Sequence, residues 1–218
     1  MRVMKSILRI EFAEATHPWL EFRELLRVAG GDVKAELQAA PVTVDQAKKR
    51  QRVILQVKAT IAEFDIPESA EEGAKAACQV MNELSSASEF PKIVGIRHES
   101  IFIEPYSLPF HELTALMKEK FLAPNRLTED ATDIGLTFDQ RERDLLKHME
   151  LGPMEADQLQ SQYLRFPVED VPDTFFFVGL AYADNTERSV SVDSLQKILD
   201  EATAWQVEEA ETILGMIK

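Results

Sequence analysis

Apolar periodicity in this chain switches between two residues and 3.6 residues in a set order, and that order is written twice: strand, helix, two strands, helix, strand. The first copy runs from about Met1 to Arg97, and the second from about Ser100 to Asp184. In the first copy, Met4, Leu8, Ile10 and Phe12 share one parity against Lys5, Arg9 and Glu11, the alternation of a half-buried strand. His17-Pro18 opens a helix with Trp19, Phe22, Leu25 and Leu26 on one side, and Gly30-Gly31 stops it. Val33 to Ala39 alternates as a second strand, and Pro41 to Arg50 reads as a polar connection. Arg52 to Phe64 reads as one long strand, and Ile93 to Arg97 as the last. Between them, Ser69-Ala70-Glu71-Glu72 has capping-box spacing before a helix with Ala74, Ala77, Cys78, Met81 and Leu84 along one stripe.

The second copy follows His98-Glu99, read as a tight, solvent-facing connection. Ser100 to Tyr106 is a strand, and Pro109 begins a helix with Phe110, Leu113, Leu116, Met117 and Phe121 inward. Ile134, Leu136 and Phe138 alternate, Glu155 to Phe166 reads as a short helix, and Thr174 to Ala183 as a strand apolar on both faces. Gln140 to Leu151 fits helix by propensity, since it holds no β-branched residue, but strand by its place in the repeated order; strand is the expectation. Asp193-Ser194 caps a long final helix. The order is that of the split β-α-β, or ferredoxin-like, unit. The expected class is therefore α+β: two tandem ferredoxin-like (βαββαβ) units, residues 1–98 and 99–218, with mainly antiparallel sheets and a long C-terminal helix in the second. The copies share no residue-level identity, so the duplication is one of element order.

Composition narrows the function classes. With 38 acidic and 24 basic residues the formal net charge is −14, which repels phosphate backbones. The densest basic patch, Lys48, Lys49, Arg50 and Arg52, is short, so no nucleic-acid partner is expected. Hydrophobic residues make up 45% of the chain, enough for a substantial core, yet no run approaches the ~20 apolar residues of a membrane span. The one cysteine, Cys78, cannot close an internal disulfide, and the N-terminus lacks the apolar stretch of a signal peptide. A cytoplasmic location is the expectation.

No motif for catalysis, metal or cofactor stands out. The histidines, His17, His98, His111 and His148, are never paired at metal-binding spacing, so neither a metal nor a cofactor is expected. Cys78 lies on an Ala-rich apolar stripe with no basic neighbour in sequence, the setting of a buried structural thiol. The candidate catalytic residues are Glu104 and Tyr106 at a strand end, His111 at the following helix start, and Tyr182. A general base needs a partner that fixes its tautomer, and a strand end followed by a helix start can supply one. The run Asp139-Gln140-Arg141-Glu142-Arg143-Asp144 could meet a carboxylate or a partner surface, or form a solvated turn.

The feature that departs from a self-contained monomer is apolarity on both strand parities. Ile7, Ile54, Phe64, Ile101-Phe102-Ile103 and Phe175 to Leu180 put large side chains on both faces, where an open antiparallel sheet is usually polar. Burial of each is worth ~1.5–3 kcal/mol, so something covers them: the other unit, the C-terminal helix, or another chain. These observations lead to a non-catalytic cytoplasmic binding or assembly module, a homodimer in preference, that uses its apolar sheet faces and C-terminal helix for protein contacts. The other reading is a small-molecule-binding protein or enzyme with a cleft between the two units.

Overall fold

The computed structural model describes residues 1–14, 32–34, 42–87, 92–185 and 192–218. The helix expected from His17 to Gly30, and all but the start of the strand expected over Val33 to Ala39, lie outside the described residues. The described strands are β1 (Arg2–Phe12), β2 (Asp32–Lys34), β3 (Val42–Gln46), β4 (Gln51–Gln56), β5 (Ala59–Asp65), β6 (Ile93–Pro105), β7 (Leu136–Glu142), β8 (Leu145–Glu155) and β9 (Thr174–Asp184). The described α-helices are α1 (Ala70–Ala87), α2 (Phe110–Phe121), α3 (Arg126–Glu129), α4 (Ala156–Gln162) and α5 (Val192–Ile217), with a 3-10 turn at Ala47–Lys49.

The strands form one nine-stranded sheet in the order β2-β3-β4-β5-β1-β6-β9-β8-β7. Every pairing between neighbours is antiparallel. This is the α+β architecture. In the first half, β5 and β6 run in the same direction with β1 between them and α1 as the crossover, the split β-α-β arrangement. In the second half, β9 lies between β6 and β8, and α4 joins two adjacent antiparallel strands. The element order is the expected one there, but the strand order is not that of a split unit.

Three local readings change. Arg52 to Phe64 is a hairpin rather than one strand, turning at Val57-Lys58 with Val57 exposed. Continuous alternation hid that turn, because it contains no Gly, Pro, Asn or Asp. The polar stretch from Pro41 includes a further strand, β3. His98-Glu99 is no connection: both residues sit within β6, which runs unbroken from Ile93 to Pro105, so residues 98 and 99 are joined inside a strand. The segment 140–151 is strand, as its place in the order implied, divided between β7 and β8.

Helices α1, α2 and α5 cover one face of the sheet. The cap of α1 forms as read: Ser69 Oγ accepts from the Glu72 amide at 3.2 Å, and the Glu72 carboxylate accepts from the Glu68 amide at 2.6 Å. Gly73 lets α1 approach β1, since a Cβ there would lie 2.6 Å from Ser6 Cβ. Cys78 is buried in the same layer. On α5, Leu195, Leu199, Ala202, Ala210, Ile213, Leu214 and Ile217 are buried, so its apolar side is spent on its own sheet. The other face is covered in part by α4 and the connection that follows it: Leu159, Leu164, Val168 and Val171 pack on Met4, Ile101, Ile103, Phe175 and Phe177. A register shift between Val3 and Lys5 places Val3 under the helices while Met4 joins that second cluster. The two-sided apolar strands are thus covered here within the chain.

Candidate functional site

The four residues singled out from sequence do not converge. Glu104 and Tyr106 lie together at the end of β6, where the Glu104 carboxylate meets the amino group of Met1 and, at 2.8 Å, Lys218 Nζ. Burial pushes the Glu104 carboxyl up, but the Lys218 and Met1 ammonium groups outweigh it and hold it below its usual range. Burial, then the Glu104 charge, raises the Tyr106 phenol, whose hydroxyl is buried with no hydrogen-bond partner among the described residues. His111 is 81% exposed beside Glu112, with no buried partner among the described residues to fix its tautomer. Tyr182 pairs across the sheet with His98, whereas Glu104 pairs with Phe176. Six positions along a strand amount to about 20 Å. Its ring sits 6.3 Å from Trp205 of α5, which also carries Lys147 over its face at 5.1 Å.

The structure assembles two polar clusters that the sequence did not disclose. Under α5, His98 is fully buried, with Nε2 hydrogen-bonded to Ser6 Oγ at 3.1 Å. Ser100 Oγ donates to Gln206 Oε1 at 2.9 Å, and Gln206 Nε2 donates to the His98 and Leu180 carbonyls at 3.0 and 2.9 Å. Burial drives the His98 pKa down to about 4, against a smaller upward pull from Gln206, so the imidazole is neutral. A serine beside a neutral histidine has the composition of a nucleophile and its base. Both are 0% exposed, so no substrate reaches them, and the cluster joins helix to sheet.

On the opposite face, Lys5 is 1% exposed. Its Nζ donates to Glu63 Oε2 at 3.0 Å and to the Tyr163 carbonyl at 2.6 Å, and lies 3.2 Å from Asp65 Oδ1. Asp65 Oδ2 accepts from the Arg165 and Phe166 amides at 2.6 and 2.9 Å, and Arg165 Nε donates to Glu63 at 3.1 Å. Two cations match two carboxylates. The network clamps residues 163–166 to β1 and β5, and Tyr163 lies 4.9 Å from Phe177, ring to ring. Burial, with the Glu150 and Glu99 charges, drives the Tyr163 phenol up to about 12. A lysine so enclosed is a tie, not a nucleophile.

Beside this clamp the second face continues, uncovered by α4. Its central strands present Ile7, Arg9 and Glu11 from β1, Arg97 and Glu99 from β6, and Leu146 and His148 from β8, with Ala181 and Ala183 of β9 buried between them. Arg9 pairs with Glu11 at 3.0 Å and Arg97 with Glu99 at 3.2 Å. A shallow recess of about 370 Å³ is lined by Arg9, Glu11, Arg97, Leu146, Ala183 and Asn185. Next to it, His148 Nδ1 is 2.7 Å from Asp139 Oδ1, with the pair part-exposed. An oriented histidine is half of a general-base arrangement. Among the described residues no set of His, Cys, Asp and Glu could hold a metal ion, and no helix is long and apolar enough to cross a membrane. The strand parity of this surface was legible in sequence; how much of it the described residues cover depends on where α4 stops.

No protein-family model matches the chain, and no curated protein matches it in sequence.

Proposed function

We propose that this protein is a non-catalytic binding and assembly module of a reducing, cytoplasmic compartment, which self-associates through the open part of its second sheet face and the sheet edge beside it. One observation carries the reading. Buried ionic groups are matched inside the chain, while the part of the second face that no described residue covers presents pre-paired arginines and carboxylates beside Ile7 and Leu146. In a chain of net charge −14, that balanced surface is where a second copy can approach without strong repulsion. The apolar side of α5 and the Phe175–Phe177 cluster are covered internally, which moves the proposed contact away from them. Of a tandem of ferredoxin-like units, 1–98 and 99–218, the split order of β4, β5, β1 and β6 supports the first; element order alone supports the second, and β6 crosses the boundary between them.

Light scattering at micromolar concentration tests the reading. A mass of two or more 24.7 kDa chains is expected; the mass of a single chain over the whole concentration range would sink it. The small-molecule reading rests on the 370 Å³ recess, which draws on β1, β6, β8 and β9 and so spans both halves. Its two arginines are already engaged by Glu11 and Glu99, so an anionic ligand would have to displace a carboxylate.

A further inference from the structure

Strand β7 ends the nine-stranded sheet, so one of its edges pairs with β8 and the other with no described strand. From Thr137 to Glu142 every residue is exposed, including the Phe138 ring at 46%. Open edges are templates for further strands, and charges on them normally block pairing. Here the charges are ordered. Asp139 and Arg141 share the open face of the sheet, opposite His148 and Leu146 of β8, and Gln140 lies between them on the other face.

Resting on the self-association reading above, we infer that β7 pairs antiparallel with β7 of a second copy, with Gln140 on the twofold axis. Under a twofold normal to the sheet, residues directly opposite keep the same face, so the axis must pass through a residue. Axes through Asp139 or Arg141 set like charges directly opposite each other, which is destabilising. An axis through Phe138 opposes Asp139 to a threonine and leaves Arg141 outside the ladder. An axis through Gln140 alone sets Asp139 against the partner's Arg141, and Arg141 against the partner's Asp139. The row on the open face then reads His148, Asp139, the partner's Arg141 and the partner's Leu146, which gives the Asp139 carboxylate a cation to add to its 2.7 Å contact with His148. The contact is isologous and closed, as a soluble dimer requires.

Single cysteines read the register, and the native Cys78 is buried and does not compete. Opposed residues lie about 4.5–5.5 Å apart at Cα, within disulfide reach, while a residue two positions off register lies beyond about 7 Å. Under mild oxidation Gln140→Cys should give a covalent dimer, whereas Phe138→Cys and Asp139→Cys should not. Arg141→Asp should weaken the dimer by roughly tenfold or more, because it opposes carboxylates. The swap Asp139→Arg with Arg141→Asp should restore it. A dimer that links through Phe138→Cys or Asp139→Cys instead, or that forms with full affinity in Arg141→Asp, overturns this edge pairing while leaving self-association standing. A protein monomeric at every concentration overturns both.

Discussion

Two polar clusters lie on opposite faces of the same sheet and are built in opposite ways. Under α5, His98, Ser6, Ser100 and Gln206 are joined as neutral groups, with strand carbonyls as further acceptors. Under residues 163–166, Lys5, Glu63, Asp65 and Arg165 are joined as ions. The first sits beneath a helix of 26 residues whose apolar side already holds it in place. The second holds a seven-residue helix and an irregular connection, which have far less apolar surface of their own. Charge is used where packing is scarce. A buried ion pair is a poor source of net stability, but it strongly penalises any arrangement that separates its members. The ionic cluster accordingly specifies where the 163–171 connection goes, and so how much of the second face stays open.

The comparison breaks most severely if α5 proves dispensable. Deleting Ser194 to Lys218 uncovers Phe102, Val178 and Leu180 together with the Gln206 partners of the neutral cluster. The truncated protein should aggregate or bind a hydrophobic dye, an outcome read by fluorescence and light scattering. A soluble, folded truncation would show that packing on the first face is not what seats His98. The next largest effect is expected from Lys5→Met, which leaves Glu63 and Asp65 facing each other in a dry site. Removing one member of a buried pair costs about 3–5 kcal/mol, to be measured by urea unfolding. A loss below about 1 kcal/mol would mean that the Arg165 side chain and the backbone amides suffice.

Acid separates the clusters by a third route. The folded-state pKa of His98, about 4, lies below the ~6.5 of an unfolded histidine, so below pH ~6.5 the unfolded chain holds the extra proton. Its effect on stability is absent above pH ~7 and grows as pH falls from about 6.5 to 4, reaching about 3 kcal/mol of destabilisation. His98→Asn should flatten that part of the profile, whatever its cost at neutral pH; an unchanged profile would place the acid sensitivity elsewhere. The smallest effect belongs to the exposed pairs of the open face. Arg97→Ala should change unfolding stability by less than about 1 kcal/mol, since surface ion pairs contribute little. A large stability loss would mean that this surface is structural.

Several elements were legible because their determinants are local. The stripe of α1 with its Ser69 cap and the helix after Pro109 each combine a period with a boundary residue, and the strand Thr174 to Ala183 is a continuous apolar run of strand length. The candidate residues were less legible. Glu104 and Tyr106 do meet, but His111 faces solvent and Tyr182 lies at the far end of its strand, because neighbours in sequence order need not be neighbours across a sheet. The Lys5 cluster joins residues 58 and 102 positions apart. Its only trace in sequence was a lysine in a strand, which on parity alone belongs to a wet face. His98-Glu99 read as a turn because a polar pair between apolar runs resembles one; Ser6, 92 positions away, is what gives the buried His98 ring a hydrogen-bond partner.

What the sequence by itself determined is several of the helices and strands and their apolar sides: period, caps and breakers act over a few residues, and each can be read without the rest of the chain. Tertiary structure alone decided the strand order, the shared strand β6, and which half of the second face is covered. Those outcomes depend on contacts between distant segments. The free energy of joining one pair of strands rather than another is a sum over burial and hydrogen bonding across the whole sheet, and no local window contains it. Hence the same alternation produced strands dry on both sides under α4 and, a few residues along β6 and β9, a stretch of the same face that α4 does not reach.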